Sequence, residues 1–178
     1  MDMYSKCESV EIAQQIFNRM PKRNVATSNA MIAGYSYNGQ ANKTLACFYE
    51  MRLPKVQADS TTMSSLLQAC AYSGTLQQGK CIHNCIIQSG LESGDFVQNS
   101  LVAMYAKSRS IDVASHLFYG MHQRSVVSWN AMIVGYVQNG LENKAFRLFH
   151  EMLWASVPPD LVTMVSVLPA CGHLASLQ

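Results

Sequence analysis

The strongest constraint on this chain is that it matches itself. Shifted by 101 residues, VATSNAMIAGYSYNGQANKTLACFYEM, from Val25, lies over VVSWNAMIVGYVQNGLENKAFRLFHEM, from Val126, without a gap. Asn29, Ala30, Met31, Ile32, Gly34, Tyr35, Asn38, Gly39, Asn42, Lys43, Phe48, Glu50 and Met51 all recur. The same offset carries MYSKCESVEIAQQIF, from Met3, onto MYAKSRSIDVASHLF, from Met104, and TTMSSLLQAC, from Thr61, onto VTMVSVLPAC, from Val162. A period of this kind signals an array of stacked units, so it is read before secondary structure.

Within the long period lie smaller units at 25–59, 60–94 and 95–125, of 35, 35 and 31 residues. Each reads as a helix hairpin. In 126–160, Met132, Ile133 and Tyr136 recur at helical spacing, and Asn139-Gly140 then breaks the helix. Ala145, Leu148, Phe149 and Met152 line one face of a second helix, and Pro158-Pro159 closes the unit. A single hairpin cannot bury its apolar face, so neighbours must stack around a continuous core with an extended groove. The remaining segments, 1–24 and 161–178, align with parts of units, so the chain is expected to be a fragment of a longer array.

Composition fits a folded array. The chain is 49% hydrophobic and only 13% charged, which excludes a disordered polyelectrolyte. A net charge of +2 permits an anionic partner but is far from a dedicated phosphate clamp. The six cysteines fall mostly in apolar helical stretches without a secretory signal, and are expected to be buried free thiols. No apolar run is long enough to span a membrane. The segment MDMYSKCESVEIAQQ has neither a signal-peptide core nor an arginine-rich, acid-free leader.

The unit lengths, with SWNAMIVGYVQNG, AFRLFHEM, LQQGKCIHNCIIQSGL and NSLVAMYAKSRSIDVASHLF, resemble the pentatricopeptide repeat family of plants, in its mixed-length subclass of P, L and S units. The implied order is partial S (1–24), P (25–59), L (60–94), S (95–125), P (126–160) and partial L (161–178). The tetratricopeptide solenoid is the nearest rival, but its W-x2-L-G-x2-Y signature is missing and a 31-residue unit does not suit it. The expected fold is all-α, a single right-handed α-solenoid of stacked helix-turn-helix repeats over residues 1–178.

The resemblance implies binding of single-stranded RNA, one base per repeat, read mainly by the fifth and last residues of a unit. Carried onto this chain, Asn29 with Asp59 and Asn130 with Asp160 match a uracil-preferring pair, and Asn99 with Ser125 a cytosine-preferring one. Ser64 with Gly94 matches no such pair, and Asn24 has no upstream partner. The second residue of a unit, here Ala26, Phe96 or Val127, would wedge between bases; Ala26 is smaller than the residue usual there. An amide offers both a donor and an acceptor to a pyrimidine edge. Asn and Asp near helix starts are also ordinary caps, and the shared register of three Asn residues favours base contact over that reading.

Sharper chemistry is not supported. Cys81 and Cys85 share a helix face, but His83 points away and no fourth ligand lies near, so no metal or other cofactor is expected. Members of this subclass often end in a zinc-dependent cytidine deaminase, yet the chain has neither H-x-E nor P-C-x-x-C, so no enzyme activity is assigned to it. Lys43 and Lys144, in register, are equally well read as phosphate contacts or as solvated surface. The expected role is the specificity part of organellar RNA editing or processing, in a mitochondrion or chloroplast, alongside other editing or processing proteins. The alternative is a protein-interaction scaffold holding a peptide on the concave face.

Overall fold

The computed structural model describes residues 10–21, 23–52 and 58–175. Among the described residues there are ten α-helices and no strand. They are α1 (Val10–Arg19), α2 (Val25–Tyr37), α3 (Ala41–Arg52), α4 (Ser60–Ser73), α5 (Leu76–Gln88), α6 (Asp95–Lys107), α7 (Ile111–Gly120), α8 (Val126–Gln138), α9 (Glu142–Trp154) and α10 (Leu161–Ala175). The chain divides into two compact units, up to Val97 and from Gln98, with the boundary inside α6. No helix is long and apolar enough to cross a membrane.

In the first unit α2 pairs with α3 as a hairpin, α4 lies beside α2, and α5 folds back on α4. In the second unit α8 pairs with α9 and α10 lies beside α8. Within each unit the first helices of successive repeats thus stand side by side. Their shared apolar register explains this: Met31, Ile32 and Tyr35 on α2 are buried, as are Met132, Ile133 and Tyr136 on α8. The second helices contribute Leu45, Phe48 and Met51, and Ala145, Leu148 and Met152. Each large side chain so buried contributes roughly 1.5–3 kcal/mol. Phe149 is only half-buried, and Leu148 carries that face of α9.

The two kinds of helix begin differently. Asn24, Asp59 and Ser125 cap α2, α4 and α8, each in a reciprocal box with the third residue of the helix, Thr27, Thr62 or Ser128. Such caps contribute about 1 kcal/mol each. The second helices α5, α7 and α9 start at Thr75, Ser110 and Leu141 without a side-chain cap. Polar anchoring is therefore concentrated at the starts of the first helices.

The turn inside each hairpin needs a left-handed residue. Gly39, Gly74 and Gly140 supply it at φ +67°, +67° and +69°. In the 31-residue unit Arg109 occupies the same place at φ 59°. Near the end of α8 the chains approach closely: a Cβ on Gly135 would lie 2.6 Å from Ala106 Cβ on α6. The Asn139 amide donates both to Gly135 O at 2.7 Å and to Ala106 O at 2.9 Å, tying the end of α8 to its neighbour's backbone.

Candidate nucleic-acid interface

Asn29 and Asn130 sit inside the first helices rather than at their caps, and each meets the residue thirty positions on. Asn130 Nδ2 donates to Asp160 Oδ1 at 2.9 Å. Asn29 Nδ2 donates to both carboxylate oxygens of Asp59 at 3.0 Å. A third group joins each pair. The Thr163 hydroxyl donates to Asn130 Oδ1 at 2.6 Å, and the Thr62 hydroxyl makes the equivalent short bond to Asn29 Oδ1. Both threonines are fully buried. The carboxylates simultaneously cap the next helix, accepting from Thr62 N at 2.9 Å and Thr163 N at 2.8 Å. Capping and pairing are thus combined in one aspartate.

These bonds tune the carboxyls. Burial pushes Asp59 up, but the Thr62 N–H and hydroxyl and the Asn29 amide outweigh it and hold the carboxyl below its ordinary value. Asp160 is held low first by the Thr163 N–H and then by the Asn130 amide. Both remain anionic at neutral pH.

In the second unit, Asn130 and Asp160 line an open cleft of about 330 Å³ between α6, α8 and α10. Its walls are largely aliphatic, from Ala103, Ala131, Val134 and Val162, with Lys107 and Gln138 also in the lining. Val127 also lines it and is 61% exposed; Phe96, at the same register one repeat earlier, is 62% exposed. Ala26 is exposed on α2. The side chains expected to wedge between bases thus stand in solvent, although they are apolar.

The remaining expected sites differ. No bond joins Asn99 to Ser125: Asn99 Oδ1 is buried without a partner, and the Ser125 hydroxyl lies 3.2 Å from that of Ser128. Ser64 is 4% exposed with an unpartnered hydroxyl, and the residue corresponding to Thr62 after it is Val97, which has none to offer. Asn24 caps α2, accepting from Thr27 N at 2.9 Å. Lys43 and Lys144 lie 5.6 and 5.9 Å over the rings of Tyr35 and Tyr136, a cation–π placement. Among the described residues no cluster of His, Cys, Asp or Glu could hold a metal. Cys47 and Cys70 are buried as expected, but Cys81 is exposed and Cys85 half-buried, because Ile82 and Ile86 take the core face of α5. Cys7 lies outside the described residues.

Two threonines escaped the sequence reading. They belong to the unit after the asparagine they contact, and a code of two residues per unit does not look there. Their recurrence at the same offset, in TTM and VTM, is the signal that points to them.

Paired helices repeating at this register define an all-α solenoid of stacked hairpin repeats. The chain belongs to the PPR repeat family: the model described as PPR repeat family matches residues 23–71 and 124–173, more than half of the chain, and a PPR repeat model matches 1–25 and 99–126. Both models describe repeats rather than a catalytic domain. Similar proteins include the chloroplastic pentatricopeptide repeat-containing protein CRR2 of Arabidopsis thaliana, 43% identical over 97% of this chain and 27% of its own length. A mitochondrial pentatricopeptide repeat-containing protein of the same plant is 38% identical over 100% of this chain and 26% of its own. The chain therefore spans about a quarter of the relatives it matches. Among solved structures, maize PPR10 matches with a TM-score of 0.78 at 22% identity, over 96% of this chain and 26% of that one. PPR10 in complex with an 18-nt psaJ RNA element matches at 0.82 and 19% identity, over 98% and 28%.

Proposed function

We propose that this chain binds single-stranded RNA through its stacked repeats, with Asn29–Asp59 and Asn130–Asp160 reading pyrimidines and favouring uracil. The observation that carries this reading is the pair of Asn–Asp contacts at one register of the repeat, one of them opening on a cleft beside an exposed Val127. The likeness to PPR10, solved with an RNA element bound, supports it. Within a longer protein the segment would supply specificity for RNA editing or processing, with the chemistry performed elsewhere. Relatives named chloroplastic and mitochondrial support an organellar setting.

Two formed pairs set the expected affinity. At about 2 kcal/mol per stacked base, two bases give about 4 kcal/mol, a dissociation constant on the order of 1 mM. The test is an NMR titration of the chain with short uridine-, cytidine- and adenosine-rich oligoribonucleotides. The expected result is a uridine preference with shifts centred on the Asn29 and Asn130 side-chain amides, lost in an Asn29→Ala, Asn130→Ala variant that keeps its helicity. Equal shifts for every RNA, unchanged in that variant, would reject base reading, and capture of an extended peptide by the same cleft would then favour the scaffold.

A further inference from the structure

Thr62 and Thr163 hold the coding amides from the far side, and we infer that they are positioning residues that set the choice of uracil over cytosine. The inference rests on the base-reading role of Asn29 and Asn130.

An asparagine amide has a donor end and an acceptor end, and rotating it by half a turn exchanges them. The pairing edge of uracil presents an acceptor and an N–H donor in the order opposite to that of cytosine, whose amino group donates where uracil's carbonyl accepts. A reading amide discriminates between the two only if its orientation is fixed. In Asn130 the fixing is two-sided: Nδ2 faces the Asp160 carboxylate and Oδ1 takes the Thr163 hydroxyl. Rotation would put Oδ1 against the Asp160 carboxylate and forfeit the donation from the Thr163 hydroxyl, whose oxygen also accepts from Asp160 N at 3.1 Å. Asn29 is held in the same way by Asp59 and Thr62. With two of its bonding positions fixed, the Asn130 amide keeps one N–H and one lone pair for a base, whereas Asn29 Nδ2 is shared between both Asp59 oxygens and its amide keeps one lone pair on Oδ1.

Asn99 provides the internal contrast. Its Oδ1 has no partner, and the corresponding third residue, Ser128, turns its hydroxyl to Ser125 instead. Nothing there fixes the order of donor and acceptor, so that unit can present the reversed order that suits cytosine.

The test compares a Thr62→Val, Thr163→Val variant with a Thr62→Ser, Thr163→Ser variant, measuring the ratio of uridine to cytidine binding with helicity as a control. Loss of one orienting bond per amide is expected to lower the ratio by about fivefold in the valine variant, with the serine variant retaining it. A ratio unchanged in the valine variant but abolished by Asn29→Ala, Asn130→Ala would overturn the inference and leave base reading intact. No preference at all in the unsubstituted chain would remove both. If the valine variant does not fold, the unsubstituted chain decides: slowly exchanging Thr62 and Thr163 hydroxyl protons, each close in space to its own asparagine amide, are expected, and freely exchanging ones would reject the lock.

Discussion

Asn130 reaches Asp160 at 2.9 Å while Asp160 caps the helix that follows it. The carboxylate therefore joins two successive first helices and orders the Asn130 amide in one contact. The same holds for Asn29 and Asp59. Acid should undo both, since a protonated carboxyl can no longer accept all its bonds. The folded-state values of Asp59 and Asp160 lie below the unfolded one, so their contribution is complete above the ordinary carboxylate value, near pH 4, and is lost as pH falls through the lowered values. A melting temperature governed by them stays level from about pH 6 to pH 4 and drops below that. An Asp59→Asn, Asp160→Asn variant should start lower and show a shallower acid limb, measured by circular dichroism.

Arg109 adopts the left-handed turn that glycine supplies at positions 39, 74 and 140. A side chain there costs roughly 1 kcal/mol against glycine, partly offset by the greater unfolded-state freedom of glycine. Arg109→Gly is expected to raise the melting temperature by about 2 °C. A decrease would show that the arginine side chain makes a contact worth more than the strain.

Gly135 allows α8 to approach α6, and the Ala106 methyl leaves no room for a further carbon. Gly135→Ala should destabilise the fold by about 1–3 kcal/mol through overpacking. Because Gly135 and Ala106 also line the cleft beside Asn130, any folded fraction should bind uridine-rich RNA more weakly. Urea titration and the RNA titration read the two effects separately.

The thiols separate by exposure. Burial, reinforced by nearby Glu50, pushes the Cys47 thiol up to about 11, and burial also raises Cys70, whereas Cys81 is exposed. Maleimide labelling near pH 7.5, followed by mass spectrometry, should modify the exposed Cys81 well before Cys47, which is shielded and held as the neutral thiol. Comparable rates would mean that α3 opens readily.

The hairpins were legible because Asn38-Gly39 and Asn139-Gly140 punctuate two apolar periodicities that recur at one offset, and the buried Met31/Met132 and Ile32/Ile133 follow that register. Contacts thirty residues apart were legible only as register: Asn29 and Asp59 could be paired by position, but their hydrogen bond depends on how closely α2 and α4 stand. The turn at Arg109 carries no local signal, since nothing in Ser108-Arg109-Ser110 announces a positive φ. Cys81 was misjudged because an apolar stretch does not say which of its residues take the inner face, and Ile82 and Ile86 claim it on α5.

The position of Thr62 and Thr163 bears on how such arrays can be cut and rejoined. A block excised after Asp59 or Asp160 carries its asparagine and its carboxylate, but leaves the hydroxyl that completes the set in the neighbouring block. Grafts joined at that seam take their third member from the new neighbour, which in this chain is threonine, valine or serine. A splice placed three residues later, after Thr62 or Thr163, moves the whole set as one piece.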